Sequence, residues 1–561
     1  MKRAYILTSL AMAVVLTACD SGPSDNNRKQ YVFTNATLVT PDSTVEGYSI
    51  ATMAGKISDF HKGSDFQWVA NDTIDLKGAY LYAGFIDAHA HFVGYAKGLQ
   101  SVNLIGTKSW EEVVSQTKLF IEAHPNFNFI TGRGWDQNDW GEGSEFPTNK
   151  ALNEAFPNLP VVLTRIDGHA VIANDAALQL AHITAETTID GGLVLVEAGR
   201  PTGVLIDNAT SLIQIPEISN SQLANALLQA EQNCFAVGLT TIDDAGLSKP
   251  MIDFIDSLQQ AAMLKMRLYA MVSDHPDWLE YYLSNGPYKT DRLNVRSFKF
   301  YGDGALGSRG ACLRQPYHDD SDNYGLILST EEHFRESARR LAAAGFQMNT
   351  HAIGDSANHL ILDIYNDALS EVARNMDYTG NPFRWRIEHA QVVSPEDLSR
   401  FTAYGIIPSV QPTHATSDMY WADERLGEER IHHAYAYQDL LNNSDALPLG
   451  TDFPVEGIDP LNTFYAAVVR KDHEGYPDDG FQMENALSRE DALRGMTIWA
   501  AYSNFEEDEK GSIERGKWAD FTILDTDLLH CPEEEILQAK VLFTVIGGEV
   551  VFTNEQMHSH E

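Results

Sequence analysis

Positive charge and cysteine are both scarce in this chain. Its 561 residues carry 40 Lys and Arg against 79 Asp and Glu, a formal net charge of -39. A surface of that sign repels a phosphate backbone and favours solubility, so nucleic acid is not an expected partner. The acidity is dispersed, with only short clusters at 506–509 and 533–535, as on a solvated surface. Of the four cysteines, Cys234, Cys312 and Cys531 are far apart and odd in number. That argues against a disulfide framework and for core packing. What the chain has in quantity is apolar residues, 43% of the total, enough for one large domain with a satellite.

The first residues read as a targeting segment. Lys2 and Arg3 precede an apolar run at 4–15, and Leu16-Thr17-Ala18-Cys19 resembles the lipobox of bacterial lipoproteins. The expectation is a signal peptide over 1–19, lipidation of Cys19 and a polar tether over 20–29, anchoring a periplasmic protein to the inner or outer membrane. The alternative is an ordinary cleaved signal with an incidental cysteine.

Residues 30–82 read as short strands separated by turn signals such as Pro41-Asp42, Ala54-Gly55 and Lys77-Gly78. Residues 511–556 match them, with strands at 519–524, 541–546 and 550–552, the last two joined through Gly547-Gly548. The two ends together predict one small β-sandwich. Between them strands alternate with helices, the pattern of a parallel sheet. Strands are expected at 84–89, 239–243, 266–273, 295–301, 346–352, 383–389, 406–410 and 447–450. Helices are expected at 331–344, 355–373 and 395–404, among others, with Gly345 and Gly405 as C-caps. Eight such strands predict an α/β fold, a TIM-like (β/α)8 barrel over 83–510, whose site gathers at the C-terminal strand ends.

Those ends carry metal-ligand residue types. Residues 81–91 read Leu-Tyr-Ala-Gly-Phe-Ile-Asp-Ala-His-Ala-His. Side chains alternate along a strand, so His89 and His91 face the same way and one divalent ion can take both. The spacing alone says little, because 19 histidines in 561 residues give roughly 0.6 such pairs by chance. His558 and His560 repeat it in a polar tail. Context separates the pairs: Lys299, His351, His389 and Asp452 each end a similar strand. The 52 residues from Lys299 to His351 and the 38 onward to His389 are each one βα unit, and the 63 to Asp452 leave room for two. Neutral imidazoles and carboxylates suit zinc and leave a position for water, whose pKa the metal brings to about 7. A free Lys299 ammonium would repel the dication, whereas carboxylation makes it an anionic ligand. The plain alternative is a lysine paired with Asp303 beside a single ion.

Residues 98–220, inserted after the first barrel strand, are far longer than a usual barrel loop and form a candidate lid or pocket wall. Trp135 and Trp140 either line an apolar pocket or make the insertion's own core. His169 either donates to a substrate oxygen or is structural. Asp303, Ser308 and Arg309 lie in a Gly-rich loop after the lysine strand, as structure near the pocket or as substrate contacts. Gln411 and His414 end the seventh strand and are expected as substrate residues.

Five motifs then combine. The strand-end His-Ala-His, Lys299 followed by Phe-Tyr-Gly-Asp-Gly-Ala-Leu-Gly-Ser-Arg, His351 in Thr-His-Ala-Ile-Gly-Asp, His389 in Arg-Ile-Glu-His-Ala-Gln and Asp452 in Gly-Thr-Asp-Phe-Pro resemble the amidohydrolase superfamily. The branch they are most similar to is family 3, which contains N-substituted formamide deformylases, and the resemblance spans about 31–548. It implies a metal-dependent hydrolase in which His89, His91 and Asp452 hold one ion, His351 and His389 a second, and a carboxylated Lys299 bridges them. The expected reaction is cleavage of an amide-type C–N bond in a small molecule by metal-activated water, with one or two divalent ions, zinc first, and Asp452 as proton shuttle. Two alternatives stay open: a non-catalytic or regulatory surface lipoprotein on the same barrel, and a cyclic amide, ester or lactone hydrolase. A homodimer is compatible with each.

Overall fold

The computed structural model describes residues 28–555 apart from 138, 139, 141–144, 167, 190, 191, 217 and 374–380. Cys19 with its lipobox and the His558/His560 pair lie outside the described residues.

Seven parallel strands follow one another around the barrel in chain order: Phe85–Ala90, Leu239–Leu247, Arg267–Ser273, Leu293–Tyr301, Gln347–Ala352, Arg386–His389 and Ile407–Ser409. The expected eighth, 447–450, forms a single parallel bridge, Leu449 to Val410, in place of a full strand. It still nearly closes the ring: Val410 N donates to Pro448 O, Gly450 N to Val410 O and Ala88 N to Leu449 O. Gly450 is required there, since an added Cβ would lie 2.5 Å from His89 N. The helices between strands are punctuated as expected. Glu331–Ala344 begins on the Thr330 hydroxyl and ends at Gly345 with φ 74, and Pro395–Tyr404 ends at Gly405 with φ 66. Glycine adopts that left-handed turn at little cost and returns the chain to the sheet.

Both chain ends build one continuous hydrogen-bonded sheet where a two-sheet sandwich was expected. Its order is Glu549–Thr553, Val541–Ile546, Phe521–Leu524, Tyr80–Ala83, Arg28–Thr40, Ser43–Met53 and Lys56–Lys62, with Val69–Asp75 also paired to Arg28–Thr40. Register shifts between Phe33 and Leu38 bend the long strand, and the curved sheet encloses a core of Phe33, Ile50, Leu81, Phe521, Ile523 and Phe543 drawn from both ends. The buried pair Arg267–Asp520, at 2.6 Å, fastens this sheet to the barrel.

The insertion carries a six-stranded sheet of its own, in the order Gly192–Glu197, Arg200–Asp207, Ala170–Ala173, Val161–Arg165, Ile130–Trp135 and Val102–Asn103. Alternation along Val161–Arg165 sends Val161 and Leu163 to one apolar cluster and Val162 to another. The segment therefore packs both faces of its sheet.

Candidate metal centre

Strand alternation points Asp87 and His89 into the barrel, with His91 one step past the strand end. His89 is wholly buried, its Nδ1 2.5 Å from Glu388 Oε2 and its Nε2 3.6 Å from Asp452 Oδ1. His91, with a side chain 30% exposed, places Nε2 3.3 Å from the same Asp452 oxygen. These three residues present donor atoms all within 4.8 Å of one another.

The same alternation would point Glu388 inward and His389 outward. His389 instead takes φ 74 and Ala390 φ 41. The chain leaves the strand geometry there, and the His389 ring comes to lie 4.5 Å from that of His351 and 4.9 Å from that of His89. Asp452 is also left-handed, at φ 61. Non-glycine residues in this region cost of order 1–3 kcal/mol each and persist where their surroundings over-determine them.

Lys299 is buried, with Nζ 3.1 Å from His89 Nε2. Burial pushes its ammonium down to about 8, against the opposing pull of Glu388 and Asp452. Asp303 is not its partner: that carboxylate accepts N–H from Cys312, Ile353 and Gly354 and lies 3.6 Å from His351 Nε2. Burial, then the Lys299 charge, hold His89 down to about 4 and His351 to about 3. Burial, then His351, hold His389 well below the usual histidine range. All three are neutral at pH 7, the form that ligates a metal. His389 Nδ1 and Asp452 Oδ1 are buried without a hydrogen bond, an arrangement that is costly unless something else satisfies them. The residues fit a divalent ion.

A second group of donors gathers His414 with His389 and Asp452, and the His351 ring lies beside that of His389. The chain after the seventh strand folds at once into the short helix Pro412–Asp418, which sets His414 Nε2 3.4 Å from Asp452 Oδ2 and Nδ1 3.0 Å from Glu456 Oε1. Burial disfavours the imidazolium, but the two carboxylates outweigh it and raise His414 to about 10. Gln411 is buried at the strand end, its side-chain amide donating to Ser409 O and its backbone carbonyl accepting from the Tyr437 hydroxyl. Arg309 forks onto Asp319 at 2.7 and 3.1 Å, in keeping with the reading of its loop as structure near the pocket. Trp135 takes the second of its two expected places. It is 0% exposed in the insertion's core and donates Nε1–H to Leu163 O at 2.9 Å. His169 lies on the insertion surface, 3.0 Å from Asp207.

Four site residues went unassigned in the sequence: Asp87, Asp243, Arg386 and Glu388. Asp87 accepts N–H from His89 and Thr451, each at 3.1 Å, and the Thr451 hydroxyl at 2.6 Å, tying the first strand to the closing segment. Arg386 and Glu388 were legible in principle, as two charges at i and i+2 on a buried strand.

The amidohydrolase-family profile matches residues 72–552, which span the barrel, the insertion and much of the end sheet. The chain belongs to the amidohydrolase family. It is 32% identical over 544 residues to Protein LONG AFTER FAR-RED 3 of Arabidopsis thaliana, covering 92% of this chain and 91% of that protein. It is 25% identical to N-substituted formamide deformylase of Arthrobacter pascens, over 85% of this chain and 89% of that one. The crystal structure of an uncharacterized metal-dependent hydrolase from Pyrococcus horikoshii OT3 superposes with a TM-score of 0.71 at 27% identity, covering 90% of this chain and 99% of that one. This amidohydrolase is accordingly a metal-dependent hydrolase, and among the described residues its His and Asp clusters could hold a metal.

Proposed function

We propose that this amidohydrolase cleaves a linear amide-type C–N bond, in an N-substituted formamide or an N-acyl amide. The observation that carries the reading is the set of buried, neutral histidines converging on Asp452 at one pole of the barrel. His89, His91 and Asp452 would hold one divalent ion and His351 and His389 would contribute to a second, with zinc suited to such donors. A bound ion supplies a Lewis acid and an activated water at neutral pH. Asp452 takes up the proton and returns it to the leaving nitrogen, while the 3.4 Å contact to His414 holds its second oxygen in place. A buried amine pushed down to about 8 keeps a neutral fraction open to carboxylation, which supports Lys299 as a bridging carbamate. The relative named for N-substituted formamide supports the substrate class.

The deciding experiment is metal analysis of the purified protein with a screen of N-formyl, N-acyl and cyclic amides. One to two divalent ions and turnover of a linear amide are expected. A metal-loaded protein that turns over only cyclic amides or lactones overturns the substrate assignment, and one that turns over none overturns the reaction. Lipid anchoring through Cys19 on the periplasmic side belongs to the same proposal. Cys19→Ser should move the protein from the membrane to the soluble fraction.

A further inference from the structure

Beneath the metal-ligand cluster lies a buried polar chain that the proposed chemistry does not use directly. Arg386 donates from Nε to Glu388 Oε1 at 2.7 Å, from Nη1 to Asp243 Oδ2 at 2.8 Å and from Nη2 to Ser409 Oγ at 3.0 Å and to the Ala88 carbonyl. Asn504 donates to the other Asp243 oxygen at 2.5 Å. Every member is wholly buried or nearly so. A buried ion pair is a poor device for holding strands together, because apolar side chains of similar volume often do as well or better. Strand cohesion therefore does not account for it. The polar chain meets the ligand cluster at one atom, Glu388 Oε2, which lies 2.5 Å from His89 Nδ1.

A carboxylate can only accept at that contact, so the proton belongs on His89 Nδ1 and the lone pair on Nε2, the atom that faces Asp452. His389 has no such support, since its Nδ1 makes no hydrogen bond. We infer that Glu388 is a positioning residue that sets the tautomer and ring orientation of His89, and that Arg386 with Asp243 holds Glu388 for that purpose. The inference rests on His89 being a metal ligand.

The test uses the full chain, stripped of metal, and reads zinc affinity by chelator competition, the absorption spectrum of the cobalt-loaded protein and the unfolding temperature of the metal-free protein. Glu388→Gln should weaken zinc binding about 10–100-fold and shift the cobalt spectrum. Asp520→Asn breaks a nearly buried pair at the start of the third barrel strand and should lower the unfolding temperature with affinity unchanged. Zinc affinity of Glu388→Gln within about twofold of the wild type overturns the inference. So does an equal affinity loss in Asp520→Asn, which would make general destabilisation the cause. Should Glu388→Gln fail to fold, Asp243→Asn loosens Arg386 without touching His89: weaker zinc binding supports the inference and unchanged binding overturns it. A wild-type protein that binds no zinc or cobalt removes the metal reading itself, and this inference with it.

Discussion

The barrel and its insertion are built from the same materials, strands alternating with helices and carrying histidines and aromatic residues, yet among the described residues only the barrel gathers a His and Asp cluster. The seven strands around the barrel all run the same way, with only the two-residue Tyr288–Lys289 added antiparallel to Leu293–Tyr301. Residues as distant in the chain as His89, Lys299 and Asp452 are therefore delivered to one pole. In the insertion only Val102–Asn103, Ile130–Trp135 and Val161–Arg165 are parallel, and the other pairings are antiparallel. No common end collects its strand termini. Trp135 packs inward and His169 lies at the surface. Residue type proposes chemistry, and topology decides whether the residues meet.

The sharpest way to break this comparison is His89→Ala with His91→Ala. Losing two direct ligands should cost more metal affinity than the ~10–100-fold typical of an outer-shell partner, and hydrolysis should vanish with the ion. Unchanged metal content would remove the barrel pole as the site. Lys299→Ala comes next. With a bridging carbamate, occupancy and rate both fall sharply and short carboxylic acids partly restore them. Full metal content with most of the activity kept would rule out the bridge and leave a site held by the histidines and Asp452. For the insertion, Trp135→Ala should cost about 3–5 kcal/mol of stability while zinc affinity of the folded protein stays at the wild-type level. An affinity loss, measured well below the unfolding temperature, would couple the insertion to the metal. The smallest effect belongs to His169→Ala, an exposed residue whose loss should change stability by no more than about 0.5 kcal/mol. A drop in kcat/KM beyond about tenfold would put His169 on the substrate and erase the contrast between the two regions.

Legibility in the sequence followed locality. The barrel strands could be read because each is a short apolar run between a glycine or turn signal and a polar helix, and Gly345 and Gly405 marked two of the returns to the sheet. The strand Lys56–Lys62 is not legible locally, because Lys-Ile-Ser-Asp-Phe-His-Lys is mostly polar and is held by its neighbour rather than by propensity. The single curved sheet at the chain ends was hidden for a related reason. Phe521–Leu524 joins Tyr80–Ala83 across most of the chain's length, and no local pattern records such a partner. Trp135 was ambiguous in the sequence because a buried tryptophan and a pocket tryptophan look alike until the indole N–H finds its acceptor.

The sequence by itself determined the family, the parallel barrel and the identity of the six strand-end ligand candidates, because periodicity, glycine punctuation and residue chemistry are all written within a few positions of one another. Only the tertiary structure decided which of them share a site. It turned His389 inward through a left-handed backbone beside His351, brought His414 to Asp452, and set Glu388 against His89. Each of those outcomes depends on register between strands and on conformations that the surrounding packing holds at a local cost, and neither is encoded in any one stretch of chain.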